Sequence, residues 1–241
     1  MVQALLRPDG KPLTTRRYPW KLCRKWIDEY PQQLLVEVSK DPLLFLNFVW
    51  TLDEHDGAHP IKRFPPWNES DERMPWEHPM GYLWEVAKIW YSEPLIVMGK
   101  SRQMMATWLI TSLYLWDAAF HVGRRIFFQS LKEEHAVEKL KASVDVLRRL
   151  PPCLRPHYRA PAKKLMFPSH HSQIQALAQG ESQVRQYTFS GGLCDEAAKQ
   201  TEFEEAYSAM LPTIERGARL TVVSSAAPGF FQVLYEDMVQ K

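Results

Sequence analysis

The spacing of apolar positions changes near residue 75 and divides the chain into two textures. Before it, helical periods run over Arg16–Tyr30 and Gln32–Trp50. In the second, Leu34, Leu35, Val38, Leu43, Leu44 and Phe48 recur at the intervals that build one apolar helix face. The connection "HPIKRFPPWNESDERMPWEHP" holds too many prolines for a regular element. From Tyr82 onward short apolar runs alternate with helical periods. These predict helix 82–92, strand 94–98, helix 106–120, strand 124–129 and helix 132–149, then strands at 164–167, 173–177 and 188–194. A helix over 201–210, a strand at 219–224 and a last helix starting near 229 complete the pattern. Buried strands separated by helices predict an α/β fold, a mainly parallel sheet with helices on both faces. The expected organisation is a helical segment with a Pro/Trp-rich connection over 1–75, then the α/β domain over 76–241.

Composition supports a real core: of 241 residues 45% are hydrophobic and 24% charged, which excludes disordered and collagen-like classes. A net charge of +2 announces no overall basic field, so any nucleic-acid contact must rest on local patches. Cys23, Cys153 and Cys194 are odd in number and form no C-x-x-C, which fits a reducing compartment better than a disulfide framework. The N-terminus has no apolar segment followed by a cleavage site, and no uninterrupted run is long enough to span a membrane. The reading is a soluble, cytosolic protein.

Parallel sheets bind ligands beyond the carboxyl ends of their strands, so the residues that follow each strand carry the chemistry. The first such stretch is "LIVMGKSRQMMATWLI", Leu95 to Ile110. With Thr107 as a metal-binding hydroxyl, the phosphate-loop pattern G-x-x-x-x-G-K-[ST] asks for glycine at 100 and 105 and lysine at 106. The chain has Lys100, Met105 and Ala106 instead. Either no nucleotide binds, or the lysine has moved to the start of the loop. A loop wrapped around an anion brings both its ends near the phosphates, and lysine acts as a point charge that can arrive from either. Met104 and Met105 read as packing under the loop, although Met105 stands where glycine usually takes the backbone turn. The second stretch is "LCDEAA", where Asp195 can hold a metal ion and Glu196 can polarise a water; the alternative is a pair of acids capping the next helix. The third is "RLTVVSSAAPGF", in which Ser224 and Ser225 end a strand.

Taken in order, "KSRQMMATW", "SLKEEHA", "VRQYTFSGGLCDEAA" and "VVSSAAPG" resemble the ATPase domain of the large terminase subunit of tailed bacteriophages, over most of 75–241. More closely, they resemble the subset with a deviant Walker A lysine. The resemblance implies a P-loop ATPase fold with an additional catalytic glutamate. It implies ATP and Mg2+ as ligands, with Lys100, Ser101, Arg102, Gln103, Met104, Met105, Ala106 and Thr107 around the phosphates and Thr107 and Asp195 on the metal. Glu196 would be the catalytic glutamate, Arg102 a second loop cation, and Ser224 and Ser225 the coupling motif. Arg185, ten positions before Asp195, would be the arginine that reaches a neighbouring subunit, with Arg124 or Arg125 competing for the role. Adenine recognition is sought before the loop, at Phe64, Trp67, Tyr82 or Trp84. The implied work is translocation of double-stranded viral DNA into a procapsid by a homo-oligomeric ring in the host cytoplasm, with the portal protein and the small terminase subunit as partners and no membrane. In isolation the chain could be a monomer.

Members of that family normally continue into an RNase H-like nuclease. The chain ends at Lys241, so the expectation is the ATPase part alone, without DNA cleavage. Two other readings stay open: a degenerate nucleotide-binding scaffold for assembly, and a helicase-like translocase. "DEHDGAHP", with Asp53, Glu54, His55 and His59, is not expected to bind metal, because Gly57 and Pro60 break the helical face. "SHHS" at 169–172 reads as a turn, and Arg148–Arg149 and Lys163–Lys164 read as solvated faces.

Overall fold

The computed structural model describes residues 6–14, 18–52, 61–64, 77–101, 104–180 and 188–239. The chain forms two compact units, one of Met1–Ser92 with Val144–Pro156, the other of Glu93–Ser143 with His157–Lys241.

The first unit contains α1 (Trp20–Glu29), α2 (Pro31–Lys40), α3 (Pro42–Leu46), the strands β1 (Trp50–Leu52) and β2 (Ile61–Arg63), and α4 (Tyr82–Ser92). The single helix predicted over 32–50 is broken in two. Asp41 precedes a proline, which disfavours helical backbone, and it is extended at φ −137° and ψ 99°. Its carboxylate caps α3 by accepting from Leu44 N at 2.9 Å, and it accepts from Thr14 N and Thr14 Oγ1, both at 2.7 Å. Trp50, expected at a helix end, lies in β1 and pairs antiparallel with Arg63 of β2. The proline-rich connection therefore does hold a regular element, because Ile61–Arg63 is a proline-free run just long enough to pair. Asn47 and Arg63, both buried, tie the unit together: Arg63 Nη2 donates to Tyr18 O and Asn47 O at 3.0 and 2.9 Å.

The second unit is built on a six-stranded sheet. Its elements are β3 (Leu95–Gly99), α5 (Ala106–Phe120), β4 (Arg125–Ser130), α6 (Glu133–Arg149, whose last turns fall in the first unit), β5 (Lys164–Phe167), β6 (Ser172–Ala178), β7 (Gly191–Asp195), α7 (Phe203–Glu215), β8 (Arg219–Ser224) and α8 (Phe230–Val239). The strand order is β3-β8-β7-β4-β6-β5. All neighbours are parallel except β5, which runs antiparallel to β6. This is the mainly parallel α/β sheet that the alternating pattern predicts. The helix expected over 201–210 continues to Glu215 and stops where Gly217, at φ +98°, donates to Ile214 O.

Every residue of β7 is buried, as a central parallel strand requires. Its two glycines admit aromatic rings on the two faces of the sheet. A β-carbon on Gly191 would stand 2.8 Å from Tyr114 of α5, and one on Gly192 would stand 2.2 Å from the Phe127 ring. Tyr114 Oη donates to Gly192 O at 2.6 Å, fastening α5 to the sheet. On the other face Phe127 joins Phe189, Phe203, Tyr207, Met210 and Phe231 in a cluster that α7 and α8 cover. Among the described residues, no helix is long and apolar enough to cross a membrane.

Candidate active site

The parallel strands β3, β4, β7 and β8 all end on one edge of the sheet, and Lys100 follows directly on β3 there. Lys100 N donates to Ser224 O at 2.9 Å, so the start of the loop is anchored to the end of β8. From there Lys100 Nζ reaches Thr107 Oγ1 at 2.6 Å and lies 3.8 Å from Asp195 Oδ1. The Thr107 hydroxyl donates to Asp195 Oδ2 at 3.4 Å. A lysine from the first position of the loop and a hydroxyl from its eighth thus meet over one carboxylate. Met105 turns the chain into α5: its backbone is left-handed, φ 53° and ψ 4°, immediately before the helix. That conformation costs a residue with a β-carbon about 1–2 kcal/mol. The first helical bond, Leu109 N to Met105 O, forms at 3.0 Å.

Asp195 and Glu196 are adjacent but serve different neighbours. Glu196 is also left-handed, φ 56°, which turns its side chain out of the strand's alternation. Asp195, buried, receives Lys139 Nζ at 3.1 Å in addition to Lys100 and Thr107. Glu196 instead contacts Lys199 Nζ at 2.9 Å and His135 Nδ1 at 3.3 Å. Partial burial opposes ionisation of Glu196. The hydrogen bond and charge of Lys199, then those of His135, outweigh it and hold the carboxyl below the ordinary glutamate range. Both carboxylates, with Lys100, Lys139, Lys199 and His135, line a cleft of about 310 Å³.

Sequence reasoning did not single out His135, Lys139 or Lys199. The available hint was positional: α6 starts just beyond the carboxyl end of β4, next to β7 in the sheet, so polar residues on its first turns belong to the same edge. Ser224 is buried; its Oγ accepts from Ala198 N at 3.1 Å while its carbonyl holds Lys100 N, and Ser225 beside it lines the cleft. Ser101 lines the cleft as well, and Met104 and Ala106 flank Met105. Arg102, Gln103 and Arg185 lie outside the described residues, as do Trp67 and the segment 53–60. Arg124 and Arg125 stand at the amino end of β4, the opposite edge of the sheet, where Arg124 Nε is 3.0 Å from Asp117. Phe64 and Trp84 are buried in the first unit, which leaves neither ring open to stack on a base. Cys194 is fully buried, and desolvation followed by the charge of Asp195 pushes its thiol far up, so it is no nucleophile.

Several solved structures share this architecture. The HK97 bacteriophage large terminase aligns with a TM-score of 0.52 at 17% identity, over 73% of this chain and 39% of that one. The ATPase domain of the Thermus phage P74-26 large terminase gives 0.50 at 13% identity, over 60% and 64%. The large terminase of a thermophilic bacteriophage gives 0.51 at 16%, over 66% and 42%. The fold is that of a large-terminase ATPase domain. The chain spans less than two thirds of the length of each of these structures. No protein-family model matches the chain, and no curated protein matches it in sequence. Within the large-terminase fold, the cluster of Lys100, Thr107 and Asp195 sits at the carboxyl edge of the parallel strands, where α/β sheets take their ligands.

Proposed function

We propose that the chain hydrolyses ATP as the ATPase part of a large terminase subunit and thereby drives double-stranded viral DNA into a procapsid. The observation that carries this reading is the convergence of Lys100, Thr107 and Asp195, with Glu196 one residue further, on a sheet with the large-terminase ATPase fold. Lys100 would bind phosphate oxygens as a point charge, helped by the backbone amides at the start of α5. Magnesium favours hard oxygen donors and keeps several waters, and the Thr107 hydroxyl and Asp195 carboxylate, 3.4 Å apart, suit it. When bound there it would neutralise charge on the phosphate oxygens.

Glu196 is the general base in this reading. Its carboxyl is ionised at neutral pH, and the contacts that hold it below the ordinary glutamate range must loosen before it accepts a proton from the attacking water. Lys199 and His135 now occupy both its oxygens, so one of the two must give way to water. Lys139 would steady Asp195. Arg102 would add a loop cation, Arg185 would complete the site of a neighbouring subunit, and Ser224 and Ser225 would couple hydrolysis to movement. The proposed partners are double-stranded DNA, the portal protein, the small terminase subunit and further copies in a ring.

The test is ATP turnover with DNA and portal present, comparing wild type with Lys100→Ala and Glu196→Gln. A general base contributes about 10²–10⁴-fold, so Glu196→Gln is expected to lower the rate at least about 100-fold. Normal turnover by Lys100→Ala would overturn the role of that lysine. No turnover by the assembled wild type would leave a nucleotide-binding scaffold as the better description.

A further inference from the structure

A larger cavity, about 890 Å³, is lined by Lys100 but by neither of the two acids. It shares Lys100, Ser101 and Ser225 with the charged cleft, so one extended ligand can occupy both. The two halves differ in chemistry. The cleft around Asp195 is ringed by ions, whereas this cavity is walled by Ala226, Ala227, Pro228, Phe231 and the ring of Tyr235. Tyr235 lies over the end of β3: its Cε2 is 3.3 Å from where a β-carbon on Gly99 would stand. It stacks on Phe231, one helical turn back on α8, with centroids 6.3 Å apart and planes at 27°. Tyr235 stays 40% exposed, which leaves room for a further flat partner. At the rim Gln232 Nε2 donates to Glu236 Oε1 at 2.8 Å, which fixes an amide–carboxylate pair with oxygens left to accept hydrogen bonds.

We propose that this cavity receives the nucleoside part of the triphosphate whose phosphates lie at Lys100, with the base stacked on Tyr235 and the Gln232–Glu236 pair accepting from its amino or hydroxyl groups. The proposal rests on the reading of the cleft as a phosphate site. It follows from continuity: Lys100, Ser101 and Ser225 line both the apolar cavity and the cleft that holds the acids. Aromatic stacking serves any base, and cavities of this size with apolar walls and a few polar groups are typical of small-molecule sites. Base stacking would then come from α8, after the third strand-end motif.

The experiment measures binding of ATP and of inorganic tripolyphosphate, each with Mg2+, by titration calorimetry to wild type, Tyr235→Ala, Tyr235→Phe and Lys100→Ala. Wild type is expected to bind ATP at least about tenfold more tightly than tripolyphosphate, equivalent to ~1.4 kcal/mol. Tyr235→Ala should lose most of that advantage and Tyr235→Phe should keep it, with tripolyphosphate affinity the same in both. Lys100→Ala should weaken both ligands. Tripolyphosphate binding as tightly as ATP, or a full ATP advantage in Tyr235→Ala, overturns the nucleoside cavity and leaves the phosphate site standing. Loss of the advantage in both tyrosine variants overturns stacking as its basis. Wild type binding neither ligand overturns the phosphate site and this proposal with it.

Discussion

Replacing Gly192 by alanine puts a methyl group into the Phe127 ring. The new β-carbon would stand 2.2, 2.3 and 2.9 Å from three ring carbons. Carbon pairs rest at about 3.5–4.0 Å, so the ring edge must withdraw by roughly 1.3 Å or more. It has little room to do so, because Phe127 packs edge-on against Phe189 with centroids 5.0 Å apart and is almost wholly buried. Overpacking of this kind costs about 1–3 kcal/mol. At ~2 kcal/mol, a protein of this size loses roughly 4–8 °C in melting temperature. Thermal and urea denaturation of Gly192→Ala, Phe127→Leu and the double variant measure it. Since the smaller leucine makes room for the methyl group, the double variant should be more stable than the sum of the two single losses predicts, by about 0.5–3 kcal/mol. A Gly192→Ala protein melting within a degree of wild type, or strictly additive losses, refutes the packing account. Because β7 carries Asp195 three residues further on, the same variant should also lower ATP turnover.

Four further outcomes are expected. Met105→Val should weaken nucleotide binding and lower stability by more than about 1 kcal/mol, since a β-branched residue tolerates φ 53° poorly, whereas Met105→Gly should bind as wild type does; binding titrations and melting curves check both. Asp41→Ala should cost about 2 kcal/mol or more in urea denaturation, because it removes the cap of α3 and strands the Thr14 and Leu44 donors. Glu196 has a depressed pKa in the folded state, so the stability its contacts give is fully present above the ordinary glutamate value and is lost as pH falls through the lower folded one. Removing its principal partner with Lys199→Ala should move that titration upward, read from the carboxyl carbon shift of Glu196 by NMR, and no movement would refute the assigned cause.

Many elements were legible because they are long and strongly patterned: the helices over 82–92 and 106–120 and the strand over 219–224 fall where the apolar spacing puts them. The hairpin of β1 and β2 was not, since three-residue strands are too short to show a period. The break at Asp41 was hidden because the apolar face continues across it, although Pro42 marks it. Strand order was beyond reach: that β8 inserts between β3 and β7 depends on contacts far apart in sequence. The strand ends named Lys100, Thr107, Asp195 and Glu196 because loop and acid motifs are local. His135 and Lys139 escaped because, on an amphipathic helix, they look like an ordinary solvated face. Nothing in the sequence announces the left-handed backbone of Glu196, which only the fold at the end of β7 imposes.

Ser224 touches both halves of the site, its carbonyl on Lys100 N and its hydroxyl on Ala198 N, just past the two acids. A single buried residue thus works as a caliper between the lysine jaw and the acid jaw. Displacing it moves both at once. Substitutions at Lys100 and Glu196 should therefore be less strongly non-additive in binding once Ser224 is replaced, and a thermodynamic cycle repeated in Ser224→Ala would read how much of their cooperation passes through that one hydroxyl.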